Sequence, residues 1–167
     1  MTLLQFRPVN EAEIDDLVAL YQRCADFIRL GTDKLIDAKM VQADLDISGR
    51  EGGRFEGIYT ANGQLIGVLD VALDGYEGEP DLAFLILLMI DPAYRGQGLG
   101  AQVVRRVEIE VWANPRIHRF QTAVQVNNPK AAAFWEAVGF DRISGPTLQP
   151  DGTTTYLLEM RRPGLPL

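Results

Sequence analysis

The chain has 167 residues, 47% of them hydrophobic, a net charge of −7, one cysteine and one histidine. That length and apolar share suit one globular domain with a sizeable core. The acidic balance argues against a nucleic-acid surface, the lone Cys24 excludes an intrachain disulfide, and His118 alone leaves no metal-ligand spacing. The longest apolar run, Leu82–Ile90, is too short to cross a bilayer as a helix, and no basic-then-apolar leader opens the chain. A cytoplasmic protein is therefore expected, with no metal, nucleic-acid or membrane partner.

In chain order, Leu3 to Arg7 ahead of Pro8 predicts a first strand. Asn10-Glu11-Ala12-Glu13 resembles a capping box, and Ile14, Leu17, Val18, Tyr21 and Ala25 follow at helical spacing. After Gly31, Thr32 or Asp33 is the expected cap of a second helix with Leu35, Ile36, Met40, Val41 and Leu45 inward. Ser48 to Gly53 is polar and glycine-containing, which predicts a loop. Phe55 to Thr60 and Gln64 to Leu73 predict a hairpin turning at Ala61-Asn62-Gly63. Asp74 to Asp81 is acidic and rich in breakers, which predicts an exposed loop.

Leu82 to Ile90, bracketed by Pro80 and Pro92, predicts a central strand buried on both faces. Asp91-Pro92-Ala93-Tyr94 breaks it. Arg95-Gly96-Gln97-Gly98-Leu99-Gly100 then opens a helix with Leu99, Val103, Val107 and Val111 on one side. A strand, a glycine loop and a helix N-terminus in that order expose backbone N–H donors and favour an anion, so the bare residues imply a phosphate or pyrophosphate cradle. Gly96-x-Gly98-x-x-Ala101 also fits the dinucleotide fingerprint, yet Asp91 to Arg95 separate the strand from the first glycine. The next strand also ends without a carboxylate to hold a ribose. Arg119 to Val126 alternates as a strand. Asn128-Pro129 starts a short helix through Val138, closed by Gly139. Phe140 to Ser144 and Thr153 to Met160 predict two strands parted by a turn-rich stretch with Gly145-Pro146. The tail from Pro163 to Leu167 is expected to be loose.

Arg95-x-x-Gly98-x-Gly100 after Ile90-Asp91-Pro92 resembles the acyl-CoA loop of the GNAT N-acetyltransferase superfamily. Asn128-Pro129-Lys130-Ala131-Ala132-Ala133-Phe134-Trp135-Glu136-Ala137-Val138-Gly139-Phe140 resembles that family's later motif. The resemblance implies a central mixed, mostly antiparallel twisted α/β sheet of about six to seven strands flanked by about four helices, splayed at the acyl-CoA site. It implies one domain over 1–167, with acceptor-side helices in 1–53 and the acyl-CoA core in 81–140. It implies transfer of an acetyl group from acetyl-CoA to a primary amine, on a small molecule or peptide, and similar proteins are often homodimers. By the same resemblance the backbone of Leu88, Met89 and Ile90 pairs with the pantetheine arm, and the N–H groups of Arg95, Gly96, Gln97, Gly98, Leu99 and Gly100 hold the pyrophosphate. Asn128, Lys130, Phe134 and Trp135 then lie along the cofactor.

The chemistry needs a base for the amine and a donor for the oxyanion, for which a backbone N–H near Leu88 to Ile90 is the family-like candidate. Many family members carry a tyrosine where this chain has Trp135, and an indole N–H is not a practical general acid; Trp135 is expected to shape the thioester pocket. Some members carry a glutamate at the position matching Phe84. This strand is uncharged, which leaves Asp81 and Asp70 as the nearest carboxylates, although an outward-facing strand position is the preferred explanation of Asp70. Cys24 lies outside both motifs, favouring direct attack in a ternary complex over a covalent enzyme intermediate. Two rival readings stand: a catalytically inactive acyl-CoA-binding regulator, motivated by Trp135 and the absent strand carboxylate, and a dinucleotide-binding oxidoreductase, motivated by the Gly96 fingerprint. Glu77 and Glu79 are candidates to face a cationic acceptor.

Overall fold

Asn10 accepts from the Ala12 N–H at 2.9 Å while Glu13 reaches back to the Asn10 N–H at 3.2 Å, the capping box expected from the sequence. It follows strand β1 (Leu4–Pro8) and leads into helix α1 (Ile14–Arg23). The computed structural model describes residues 2–165; of the tail, Pro166 and Leu167 lie outside the described residues. A short helix, α2 (Ala25–Ile28), precedes α3 (Ala38–Arg50). Then come β2 (Arg54–Thr60), β3 (Leu65–Ala72), β4 (Leu82–Ile90), α4 (Leu99–Ala113), β5 (Arg119–Gln125), α5 (Pro129–Ala137), β6 (Asp141–Leu148) and β7 (Thr154–Arg161).

The strands form one sheet in the order β1-β2-β3-β4-β5-β7-β6. Only β4 and β5 run parallel; the other five neighbouring pairs are antiparallel. This is the mixed, mostly antiparallel sheet the resemblance implied, and it lacks the doubly wound parallel sheet of a dinucleotide fold. One face packs on α4 and α5 through Ile58, Leu69, Leu85, Val103, Val107 and Phe120. The other packs on α1 and α3 through Leu17, Tyr21, Val41, Val68 and Met89. No helix among the described residues is long and apolar enough to cross a membrane.

Several expectations are corrected. The second helix starts not at Thr32 or Asp33 but after Asp37, whose carboxylate accepts from the Met40 N–H at 3.1 Å. Leu35 is left exposed. Both earlier residues are good caps locally; burial of Ile36 and Val41 against α1 decides between them. α3 also runs through the expected loop to Arg50, which brings Ser48 onto a buried helical face. β4 is not buried on both faces throughout: Leu82, Ala83, Leu85 and Met89 are buried, whereas Phe84, Ile86, Leu87, Leu88 and Ile90 keep partial exposure. β6 continues through the expected turn, because Gly145 and Pro146 bulge between the pairs Ser144↔Leu157 and Thr147↔Thr155.

Candidate active site

β4 and β5 pair only from Leu82–Leu85 against Arg119–Thr122. Beyond that point β5 stays paired with β7 through Gln125 and β4 with β3 through Ile90, so the sheet opens between the two halves. Two features sit at the fork. The Thr122 hydroxyl donates to the Leu85 carbonyl at 3.0 Å. Opposite it the β3–β4 register slips from Val71↔Leu85 to Asp70↔Leu87, leaving Ile86 as an extra residue in a β-bulge. A bulge bends its strand and increases local twist, and this one coincides with the point where β4 and β5 part.

Beyond the bulge the backbone polarity of β4 is fixed by its β3 neighbour. The Asp91 N–H donates to the Ile66 carbonyl at 2.8 Å. The Met89 carbonyl also points toward β3, since a Cβ on Gly67 would come within 2.6 Å of it. Backbone polar groups alternate sides along a strand, so Leu88 and Ile90 present theirs to the gap. Met89 faces β3, and its side chain is buried under α1. Two of the three expected rail residues thus line the opening.

The loop after β4 begins with a short turn at Pro92–Tyr94 capped by Asp91. Gly96 at φ +72° and Gly98 at φ +78° hold backbone conformations that side chains disfavour, and a Cβ on either would meet nothing within 4 Å. The open space therefore lies outside the loop, where the first N–H groups of α4 lack helical partners. Gly100 has a different reason: its Cβ would approach the Phe134 ring to 3.1 Å, so glycine lets α5 close on α4. Arg95 is used inside the protein. Its N–H donates to the Pro92 carbonyl, its Nε to the Ile90 carbonyl at 2.7 Å, and its terminal nitrogens to Asp26 of α2 at 2.5 and 3.2 Å. The unpaired donors start at Gly96.

On α5, the Asn128 oxygen accepts from the Ala131 N–H at 3.1 Å, capping the helix that Pro129 starts. Lys130 stands exposed in the first turn. Phe134 lies edge-on to Trp135 at 5.0 Å between centroids, and Trp135 to Phe140 at 5.3 Å. Trp135 is buried within the core cluster on the α4–α5 face of the sheet. The Tyr94 hydroxyl donates to Gln64 Oε1 at 2.8 Å.

The two candidate carboxylates part company. Asp81 starts β4 at the end away from the fork; with Leu87 six residues on at about 3.3 Å each, they are roughly 20 Å apart. Hydrogen bonds from Arg119, at 2.7 and 3.0 Å, hold the Asp81 carboxyl below its usual range. Arg119 also engages Glu79, tying down half of the acidic loop. Asp70 does not face outward: it is 2% exposed, on the α3 side of β3, and accepts from the Ser48 hydroxyl at 2.8 Å. Burial pushes it up to about 6; the Ser48 bond opposes this and neighbouring Asp44 adds to it. Asp44 is itself raised by burial and accepts from Tyr21 at 2.7 Å. Sequence reasoning missed Ser48 and Thr122. It missed Tyr76 as well, whose ring stacks on Phe84 at 4.2 Å and 14°, two residues before the Ile86 bulge. The buried Gln125 Oε1, past the last β4–β5 pair, has no partner among the described residues.

The family model described as acetyltransferase (GNAT) family matches residues 13–140. The chain belongs to that family. An aminoglycoside N(6')-acetyltransferase type 1 from Klebsiella pneumoniae is 30% identical over 109 residues, covering 60% of this chain and 54% of that protein. The chain thus spans about half the length of that curated relative. An acetyltransferase from Thermus thermophilus superposes with a TM-score of 0.80 at 25% identity, over 97% of this GNAT chain and all of that one. The spermidine N-acetyltransferase of Vibrio cholerae, solved with CoA and spermine, shares the fold with a TM-score of 0.70 at 16% identity, over 95% of each chain.

Proposed function

We propose that this chain moves an acetyl group from acetyl-CoA to a primary amine of a small cationic acceptor, by direct attack in a ternary complex. The observation that carries the reading is the fork: β4 leaves β5 at Ile86 with the Leu88 and Ile90 backbone turned into the gap, and a glycine-opened helix N-terminus stands at its end. In this reading Leu88 and Ile90 pair with the pantetheine arm, and the N–H groups from Gly96 to Gly100 take the pyrophosphate. Lys130 and the Asn128 amide lie toward the phosphates, and Phe134 closes the α5 side. Gln125 offers its free oxygen to a pantetheine amide. The bound cofactor supplies the activated acyl carbonyl; a backbone N–H beyond the bulge stabilises the oxyanion. Cys24 is fully buried, with burial pushing its thiol up to about 11, which supports direct attack over a covalent intermediate.

The named acceptors of the similar proteins, aminoglycosides and spermidine, carry several amines, and the acidic charge of this chain suits such cations. The test is thiol release from acetyl-CoA across aminoglycosides, polyamines, amino acids and lysine peptides, with the acetylated product weighed by mass spectrometry. Amine-dependent release is expected. Binding of acetyl-CoA with no turnover on any amine would favour the inactive regulator, and binding of NAD instead of acetyl-CoA would overturn the site.

A further inference from the structure

Among the described residues four carboxylates are buried: Glu56, Asp70, Asp91 and Glu159. Three have an arginine. Arg106 meets Glu56 at 2.8 Å, Arg23 meets Asp91 at 2.5 Å, and Arg161 meets Glu159 at 2.7 Å. Asp70 has a hydroxyl, Ser48, and none of the groups acting on it is a cation. An unpaired buried carboxylate is costly, and folds seldom keep one without a use for it.

Its position supplies the use. Asp70 pairs with Leu87, the first residue past the Ile86 bulge, at the level where β4 and β5 separate. Ile86, Ser48 and Asp70 converge on Gly53, where a Cβ would lie 2.4 Å from the Asp70 carboxylate, 2.5 Å from the Ser48 hydroxyl and 3.1 Å from Ile86. Glycine there leaves the carboxylate uncrowded. The half-buried Tyr76 stacks on Phe84, and after its burial the Tyr76 hydroxyl feels Glu77, Glu51 and Asp70, which sets it near the same carboxylate.

Resting on the acetyl-transfer reading, we infer that Asp70 is the catalytic base that receives the acceptor's ammonium at the fork, and that Ser48 is a positioning residue that holds its carboxylate. The ammonium gives one proton to Asp70. The freed nitrogen lone pair attacks the thioester carbonyl carbon, forming the C–N bond. The C–S bond then breaks, the CoA thiolate takes the second proton from nitrogen, and Asp70 returns its proton to solvent. Besides burial, the groups that act on the carboxylate are Ser48 and Asp44 of α3 and the Val71 backbone N–H, while the uncharged hydroxyls of Tyr21 on α1 and Tyr76 ahead of β4 face it and feel its charge.

The experiment is a pH–rate profile for the wild type, Asp70→Asn and Ser48→Ala, using the best amine from the acceptor panel, with acetyl-CoA affinity measured in parallel. Wild-type kcat/KM should rise with pH through about 6, where Asp70 ionises. Asp70→Asn should bind acetyl-CoA normally yet lose about 100-fold or more in kcat/KM, its remaining rate following the free amine with no limb near 6. Ser48→Ala removes a bond to the ionised form, so its limb should move to higher pH while the plateau survives; a purely structural role would not move it. Asp70→Asn within a few-fold of wild type with the same acid limb would overturn the assignment while leaving acetyl transfer intact. An unmoved limb in Ser48→Ala, should Asp70→Asn not fold, would overturn it equally. A wild type that binds acetyl-CoA but acetylates nothing would overturn the underlying reading and the base together.

Discussion

The Thr122 hydroxyl donates to the Leu85 carbonyl at 3.0 Å in the last residue pair shared by β4 and β5. One step further along β4 is the Ile86 bulge. The bond therefore marks where the two strands stop pairing and, on the proposed reading, where a thioester carbonyl entering the gap would come to rest. Thr122→Val keeps the shape but removes the donor from a buried site, a change that isostery does not make neutral. Stability should fall by about 1–3 kcal/mol in urea unfolding, and acetyl-CoA should bind more weakly. Unchanged affinity would mean that the bulge alone sets the fork.

Gly98 and Gly100 should respond differently to alanine. Gly98 sits at φ +78° with open space around it, so Gly98→Ala meets backbone strain of about 1–2 kcal/mol and puts a methyl where the pyrophosphate is proposed to lie. Gly100→Ala instead presses on the Phe134 ring at 3.1 Å, offset by a helix-propensity gain of up to about 1 kcal/mol. Gly98→Ala should therefore lose both melting temperature and acetyl-CoA affinity, whereas Gly100→Ala should hold its melting temperature within a few degrees. Calorimetry on both variants checks this; equal behaviour would refute the separate roles.

Arg95 joins the end of the rail to α2 through Ile90 and Asp26. The Asp26 side chain is 60% exposed, so the pair adds at most about 1 kcal/mol to global stability. Its Arg95 bond holds the Asp26 carboxyl below the usual range, so this contribution is present above that range and is lost as pH falls through the lowered value. Asp26→Asn should leave the melting temperature nearly unchanged and weaken acetyl-CoA binding, with the wild type approaching the variant at high salt. A salt-independent difference would place the effect elsewhere.

Local constraints made the glycine loop and the Asn128-Pro129 helix start legible, because a positive φ and a cap each restrict residue type over a few positions. Asp70 could be named as a candidate carboxylate, but its inward orientation was not legible. Leu65 to Leu73 is apolar on both sides of it, so alternation names no outward face. Its partner Ser48 lies 22 residues earlier, on a helix whose extent depends on tertiary packing. The parity of Leu88 and Ile90 depends likewise on the Ile86 bulge, which leaves no signature in an unbroken aliphatic run.

Trp135 should prove a packing residue. It is 7% exposed and contacts Phe134 and Phe140 edge-on. Trp135→Phe keeps an aromatic body and removes the indole N–H, so kcat should hold within a few-fold, whereas Trp135→Ala should cost about 3–5 kcal/mol in unfolding. A large loss of kcat in a folded Trp135→Phe would instead give the indole N–H a part in the chemistry.

Asp70 should act against stability at neutral pH. Its folded value of about 6 stands above the ordinary carboxylate value of about 3.9, so between those values the folded chain holds more protons than the unfolded one. Stability should then fall as pH rises through that window, and the ionised group costs roughly 1–3 kcal/mol at pH 7. Asp70→Asn can still accept from Ser48 and carries no charge. It should be the more stable protein at pH 7 by that amount, and the two should converge toward pH 4. Urea midpoints at three pH values measure the difference. A destabilised Asp70→Asn at pH 7 would mean that the carboxylate is paired in solution. A more stable and slower variant would mark Asp70 as kept for chemistry at the expense of the fold.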